Sequence, residues 1–220
     1  MATMAASSLK SRKPRFLVDA MLIKLGRWLR ILGYGCRIPE KDEIDDDKLL
    51  SIAKKEKRTL ITMDRELSKR GRGSVKIFYI PSSVNSITKQ LEFLIKKKMI
   101  LHPYLNEDIE SFLDKNVKCT KCGGELRKIN KKEIVEMTQF SNVPKSRQGY
   151  ISRKSRNRIP IKGIRTNFFD MEIPIDELAK RYNEFWVCRK CNKIYWKGSH
   201  WKKMIETIGS IEKKQTRKNK

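Results

Sequence analysis

Residues Arg15–Gly33 read RFLVDAMLIKLGRWLRILG, and this stretch decides the fold. Phe16, Leu17 and Val18 form a short apolar run of the kind that builds a buried strand, and it ends on a carboxylate, Asp19. Beyond Asp19 the apolar residues recur with helical period. Leu22, Leu25, Leu29 and Leu32 share one face, while Lys24, Arg27 and Arg30 fall on the opposite side of the wheel. One acid therefore stands at a strand–helix junction, beside a helix that is apolar on one side and cationic on the other.

The same alternation continues outward. Cys36-Arg37-Ile38 reads as a short strand and the run from Leu49 as a helix ending near Lys57. Thr59–Met63 is a β-rich apolar strand closed by Asp64, Arg65–Arg70 a short helix, Val75–Ile80 another strand, and Ile87–Ile95 a further amphipathic helix. Strand, helix, strand, helix in this order predicts an α/β domain with a parallel sheet wrapped by helices, over residues 15–114. Two of its strands end in an Asp at the carboxyl end, the edge where open α/β sheets bind ligands.

The second half has a different character. Net charge is +26 over 220 residues. Residues 15–114 carry 20 basic and 15 acidic side chains, and residues 115–220 carry 28 and 10. Such a one-sided excess suits a polyanionic partner better than it suits solubility alone. Residues 115–205 read as a second domain holding a basic insertion at about 138–180. Within it, residues 141–169 contain eight basic residues, no acid, two Pro and two Gly. Residues 1–14 and 206–220 read as basic tails. No run of 18 apolar residues predicts a membrane span. The amino terminus lacks the apolar core of a secretory signal; it reads as a disordered basic arm or a transit peptide. A cytoplasmic location is expected, with no membrane partner and no small-molecule organic cofactor.

Five cysteines occur, four of them in two CxxC pairs, Cys119 with Cys122 and Cys188 with Cys191. This usage fits a reducing compartment and one tetrahedral, structural zinc ion. Gly123 and Asn192 come directly after the pairs, where a knuckle turn favours residues tolerant of a left-handed backbone. The pairs are separated by 65 residues, far beyond a compact zinc module, so the basic arm reads as an insertion looping out of a zinc ribbon. Cys36 reads as a small buried residue.

Asp19, Asp46 and Asp64 form a candidate acid set. Metal-dependent phosphodiester cleavage needs several carboxylates converging on Mg²⁺ or Mn²⁺. Each acid also has a plain alternative as a helix cap: Asp19 for the helix after it, one of Asp45, Asp46 and Asp47 for the next, Asp64 for Arg65–Arg70. Their combination beside a basic second domain favours catalysis. Lys24, Arg27 and Arg30 would steer a phosphate backbone toward them. Trp196 and Trp201, with His200 and neighbouring lysines, make a candidate surface for stacking and phosphate contact with RNA, single-stranded or structured. A role in the core of the ribbon is the alternative for these rings.

These residues carry a family resemblance. The segment Phe16-Leu-Val-Asp19-Ala-Met21-Leu22-x-Lys24-Leu25-x-Arg27-Trp28-Leu29-Arg30-Ile-Leu-Gly33-Tyr34 resembles the opening of the Mut-seven C-terminal RNase domain family. Leu60-Ile-Thr-x-Asp64-Arg65-x-Leu67 and Cys188-x-x-Cys191-x-Lys-Ile-Tyr195-Trp196-x-Gly198-Ser199-His200-Trp201 resemble it too, in the same order. The resemblance implies a PIN-like nuclease fold with a small zinc ribbon after it. It implies a metal-dependent ribonuclease whose acids match Asp19, Asp46 and Asp64; the expectation built on it is an endoribonuclease that leaves 5′-phosphate and 3′-hydroxyl ends. Gly35 and Met63 stand where that family usually has Asp and Arg. The alternative is a non-catalytic RNA-binding or ribosome-associated protein that keeps the nuclease fold. By analogy of layout, the ribosome or pre-rRNA are candidate partners, with rRNA or tRNA as candidate substrates.

Overall fold

The computed structural model describes residues 13–101, 108–134 and 175–216. The chain divides into two compact units, residues 1–29 with 34–101, and residues 30–33 with 102–220.

In the first unit the elements run β1 (Arg15–Val18), α1 (Ile23–Ile31, whose last two residues group with the second unit), β2 (Gly35–Arg37), α2 (Asp46–Lys55), β3 (Thr59–Thr62), α3 (Arg65–Arg70), β4 (Ile77–Tyr79) and α4 (Ile87–Lys96). The expected alternation is present. All strand pairs are parallel, in the order β2-β1-β3-β4, and Phe16 pairs with Cys36 on one side and Thr59 on the other. The chain leaves β1 for β2 on one flank and returns to β3 on the other. The reversal of strand order therefore falls between β1 and β3, where open α/β sheets form a crevice at their carboxyl ends.

A parallel sheet covered on both faces needs strands that are apolar throughout. Phe16, Leu17, Val18, Leu60 and Ile61 are accordingly completely buried. Leu17 and Leu60 pack with Leu49 and Ala53 of α2 and Leu67 of α3. Burial of each such side chain contributes about 1.5–3 kcal/mol. At the opposite edge Arg58 ties two strand starts together, donating to the Phe16 carbonyl at 3.2 Å and the Gly35 carbonyl at 3.0 Å. Cys36 is buried within β2, as its lone occurrence suggested.

In the second unit the elements are α5 (Ile109–Asn116), β5 (Leu126–Ile129), α6 (Ile175–Arg181), β6 (Phe185–Cys188), β7 (Ile194–Trp196) and α7 (Ser199–Thr216). The strands form an antiparallel sheet, β5-β6-β7, with β6 buried along its whole length. The side chain of Asp108 starts α5 by accepting the Ser111 N–H at 3.0 Å, and α5 groups with the second unit. α7 runs from Ser199 through Thr216, into the residues read as a basic tail from 206. Trp201, Met204, Ile208 and Ile211 lie buried at helical spacing along α7 and give this helix an apolar stripe to pack. The tail at 1–12, the last four residues and the insertion from 138 to 174 lie outside the described residues. Among the described residues no helix is long and apolar enough to cross a membrane.

Candidate functional site

Asp19 comes directly after β1 and Asp64 two residues after the end of β3, so the two acids flank the switch point. Backbone pairing carries over into the site: the Asp19 N–H donates to the Ile61 carbonyl at 3.1 Å, and the Met63 N–H donates to Asp19 Oδ2 at 3.2 Å. Thr62, fully buried, accepts the Asp64 N–H on its hydroxyl at 2.8 Å. Asp19 is 5% exposed, and its Oδ1 is buried with no hydrogen-bond partner. Burial pushes the Asp19 carboxyl above the usual carboxylate range; the Thr62 hydroxyl and the Met63 N–H offset part of this. A buried carboxylate with an orphaned oxygen is costly unless a cation or proton meets it.

Asp64 is exposed and caps α3, its Oδ1 accepting the N–H groups of Glu66 at 2.7 Å and Leu67 at 3.0 Å. The capping alternative is thus realised for Asp64, while Asp19 makes no side-chain cap to the turn after it. The middle acids are committed elsewhere. Asp45 caps α2 by accepting from the Asp47 and Lys48 N–H groups. Asp46 Oδ2 accepts from Arg70 Nη1 at 2.9 Å, and Asp47 pairs with the same guanidinium. Among the described residues, Asp19, Asp46 and Asp64 do not form a set of ligand atoms within 4.8 Å of one another. The pairing of β1 with β3 sets Asp19 against the strand that leads to Asp64, and Asp46 is held by Arg70.

The four cysteines do converge. Cys119, Cys122, Cys188 and Cys191 place all their sulfurs within 4.8 Å, with Cys119 and Cys191 at 3.5 Å and Cys122 and Cys188 at 3.4 Å. Tetrahedral zinc–thiolate bonds put sulfurs about 3.8 Å apart, so the donor set fits zinc. Each CxxC closes as a knuckle: Gly123 N–H donates to the Cys119 carbonyl at 2.7 Å and Asn192 N–H to the Cys188 carbonyl at 3.0 Å. Gly123 and Asn192 take φ of 72° and 57°, the left-handed backbone their types suggested. Gly124 carries no spacing signal of its own, and the structure supplies its role. A Cβ there would lie 3.0 Å from Cys188 Sγ and 3.3 Å from Cys122 Sγ, so the sulfurs need its bare backbone.

Tyr195 supports this centre from behind. Its hydroxyl lies 3.0 Å from Cys119 Sγ and accepts the Thr120 N–H at 3.0 Å. Burial opposes ionisation of Cys119, but the Tyr195 hydroxyl and the Cys122 N–H outweigh it and bring the thiol down to about 7. Burial and the neighbouring thiols raise Cys188 and Cys191. Four crowded sulfurs that resist joint ionisation are what a divalent cation relieves.

Lys24 and Arg27 are exposed on α1 as expected, but Arg30 is not. It is 5% exposed, and its Nη1 donates to the carbonyls of Thr120 at 2.8 Å and Lys121 at 2.9 Å, inside the first CxxC loop. The cationic face therefore ends at Arg27, and Arg30 braces the knuckle backbone. Trp201 also departs from the expected RNA-facing surface: it is 8% exposed and stacks on Trp186 at 5.9 Å with 9° between planes, which puts it in the core of the unit. Trp196 and His200 remain half-buried. Burial, together with the Lys203 charge, lowers the His200 imidazole.

A family model described as Mut7-C RNAse domain matches residues 14–158 and 160–208. No curated protein matches the chain.

Proposed function

The chain belongs to the Mut7-C RNAse domain family, and from this we propose that it is a metal-dependent endoribonuclease of PIN-like fold. The family's description gives a ribonuclease acting on RNA. The observation that carries the metal-dependent reading is Asp19: a buried carboxylate with an orphaned oxygen, at the switch point, next to the strand that delivers Asp64.

In this reading Asp19 and Asp64 would hold Mg²⁺ or Mn²⁺, with Asp46 joining once released from Arg70. The ion supplies charge neutralisation at the phosphate and a water of lowered pKa. The chain's own groups do the rest. Thr62 and the Met63 N–H fix the Asp19 carboxylate, the α3 cap fixes Asp64, and Lys24 and Arg27 draw in the phosphate backbone. Cleavage would leave 5′-phosphate and 3′-hydroxyl ends. The four cysteines would hold one structural zinc, since a closed thiolate set leaves no open position.

The test is RNA cleavage with added Mg²⁺ or Mn²⁺ in wild type, Asp19→Asn, Asp64→Asn and Asp46→Asn. We expect no cleavage in the first two variants and a partial loss in the third, with RNA binding kept in all. Asp64→Asn retains a good cap, so its loss of activity cannot come from a melted α3. Full cleavage by both Asp19→Asn and Asp64→Asn would end the proposal. The Arg70–Asp46 pair favours the second reading, a non-catalytic RNA-binding protein on the same fold. Absence of any Mn²⁺ binding dependent on Asp19 would establish it.

A further inference from the structure

The second unit contains a cavity of about 360 Å³ that the acid site does not use. Its wall includes the rings of Tyr182 and Trp196, the cations Lys118, Arg181 and Lys203, and the His200 imidazole, and among the described residues no Asp or Glu lines it. The volume lies in the range of small-ligand sites. Tyr182 and Trp196 sit 6.2 Å apart with 39° between their planes, and both rest against the buried cluster of Leu178, Phe185 and Ile194. They are therefore fixed in place. Gly198 lies where a Cβ would come within 2.9 Å of Trp196 Nε1 and 3.3 Å of the Tyr182 hydroxyl, so the missing side chain leaves both ring edges clear.

We propose that this cavity seats one unstacked nucleotide of a single-stranded RNA, its base against Trp196 and Tyr182 and its phosphate held by Arg181 and Lys203. The inference rests on the proposed RNA-cleaving function and adds a binding site within the second unit. The chemistry is selective. Aromatic walls without cations would suit an apolar peptide, and cations without aromatics any polyanion; rings and cations together match a base joined to a phosphate. Arg181 is available for this, since its ion pair with Glu177 spans 3.9 Å between two exposed side chains and holds it weakly. Trp201 does not take part, because it is stacked on Trp186.

The experiment measures binding of the zinc-loaded full chain to an oligouridylate of about 12 nucleotides, the scale of one single-strand binding module. An abasic ribose-phosphate strand of equal length serves as the comparison, and no further divalent cation is added. The charge-swapped pair Arg181→Glu with Lys203→Glu is compared with a control pair of equal charge change, Lys54→Glu with Lys55→Glu, on α2. We expect the cavity pair to weaken oligouridylate binding about tenfold more than the control pair does. Wild type should prefer oligouridylate over the abasic strand by about tenfold, and Trp196→Leu should lose that preference. Zinc content checks that Trp196→Leu folds; if it does not, the exposed charge pair carries the test alone. Equal losses in the two charge pairs, or wild-type indifference to base removal, would overturn the inference while leaving the nuclease proposal intact. A protein partner at this face would give that same result. Failure of wild type to bind any RNA would end both.

Discussion

The Met63 N–H donates to Asp19 Oδ2 at 3.2 Å, across the seam where β1 meets β3, while Asp19 Oδ1 on the same carboxylate meets no donor. One oxygen is fixed by the fold and the other is left for something else. Under the proposed function this asymmetry ties stability and activity to one residue.

Asp19→Asn should therefore stabilise the protein as it loses RNA cleavage. The ionised carboxylate is buried and half-satisfied, and an amide keeps the acceptor for Met63 while removing the charge. The gain expected is on the order of 1 kcal/mol, read from urea unfolding at neutral pH without added Mg²⁺ or Mn²⁺. Mn²⁺ should raise the midpoint of wild type and leave that of Asp19→Asn unmoved. A variant less stable than wild type under metal-free conditions would mean that Oδ1 has a favourable partner.

Arg27 and Arg30 should separate cleanly. Arg27→Ala leaves the fold alone and weakens RNA binding, lowering the salt slope by about one. Arg30→Ala strands the carbonyls of Thr120 and Lys121 and should cost about 2 kcal/mol, with faster zinc loss to a chelator. Thermal unfolding and RNA titration on both variants check this. Arg30→Ala that bound RNA poorly yet held zinc normally would restore the phosphate-steering role.

Tyr195→Phe removes a hydroxyl that touches Cys119 Sγ and accepts the Thr120 N–H. Outer-shell losses of this kind weaken metal sites about 10–100-fold. Zinc competition against a chromophoric chelator should show a fall in that range with the sheet intact by circular dichroism. Unchanged zinc affinity would make Tyr195 merely a packing residue.

Glu56 gives the fold an acid limb. Burial disfavours its charge, but Arg58, 2.5 Å away, and Arg37 outweigh that and hold its carboxyl below the usual range. The folded value is depressed, so this contribution is present above the ordinary value of 4.5 and is lost as pH falls through the folded one. Glu56→Gln should be less stable than wild type at neutral pH by up to about 1 kcal/mol. The gap should close in acid, as tracked by urea unfolding at a series of pH values; a gap independent of pH would exclude ionisation as its source.

Much of this is legible in one dimension. Apolar runs mark β1, β3 and β4, helical period marks α1, α2 and α4, and two CxxC pairs with Gly123 and Asn192 behind them specify a four-sulfur centre. Other features carry a one-dimensional signal too. Trp201, Met204, Ile208 and Ile211 are spaced as a core stripe within a lysine-rich segment, and Asp108 three residues ahead of Ser111 marks a helix start. Arg30 departs from its expected role because its guanidinium meets the Thr120 and Lys121 carbonyls, some 90 residues further along the chain, which no local pattern on α1 announces.

Period and spacing are local, and they settle which segments become strands or helices and which turns present paired cysteines. They cannot say which strands pair. That β1 sits between β2 and β3, and so sets Asp19 beside the strand that ends near Asp64, is a consequence of packing that buries both faces of the sheet at once. Tertiary structure likewise decided that Arg70 engages Asp46, that Arg30 turns to the Thr120 carbonyl, and that Trp201 stacks on Trp186. In each case the partner lies more than 20 residues away or in another element, where only the desolvation and hydrogen-bond demands of the folded chain choose it.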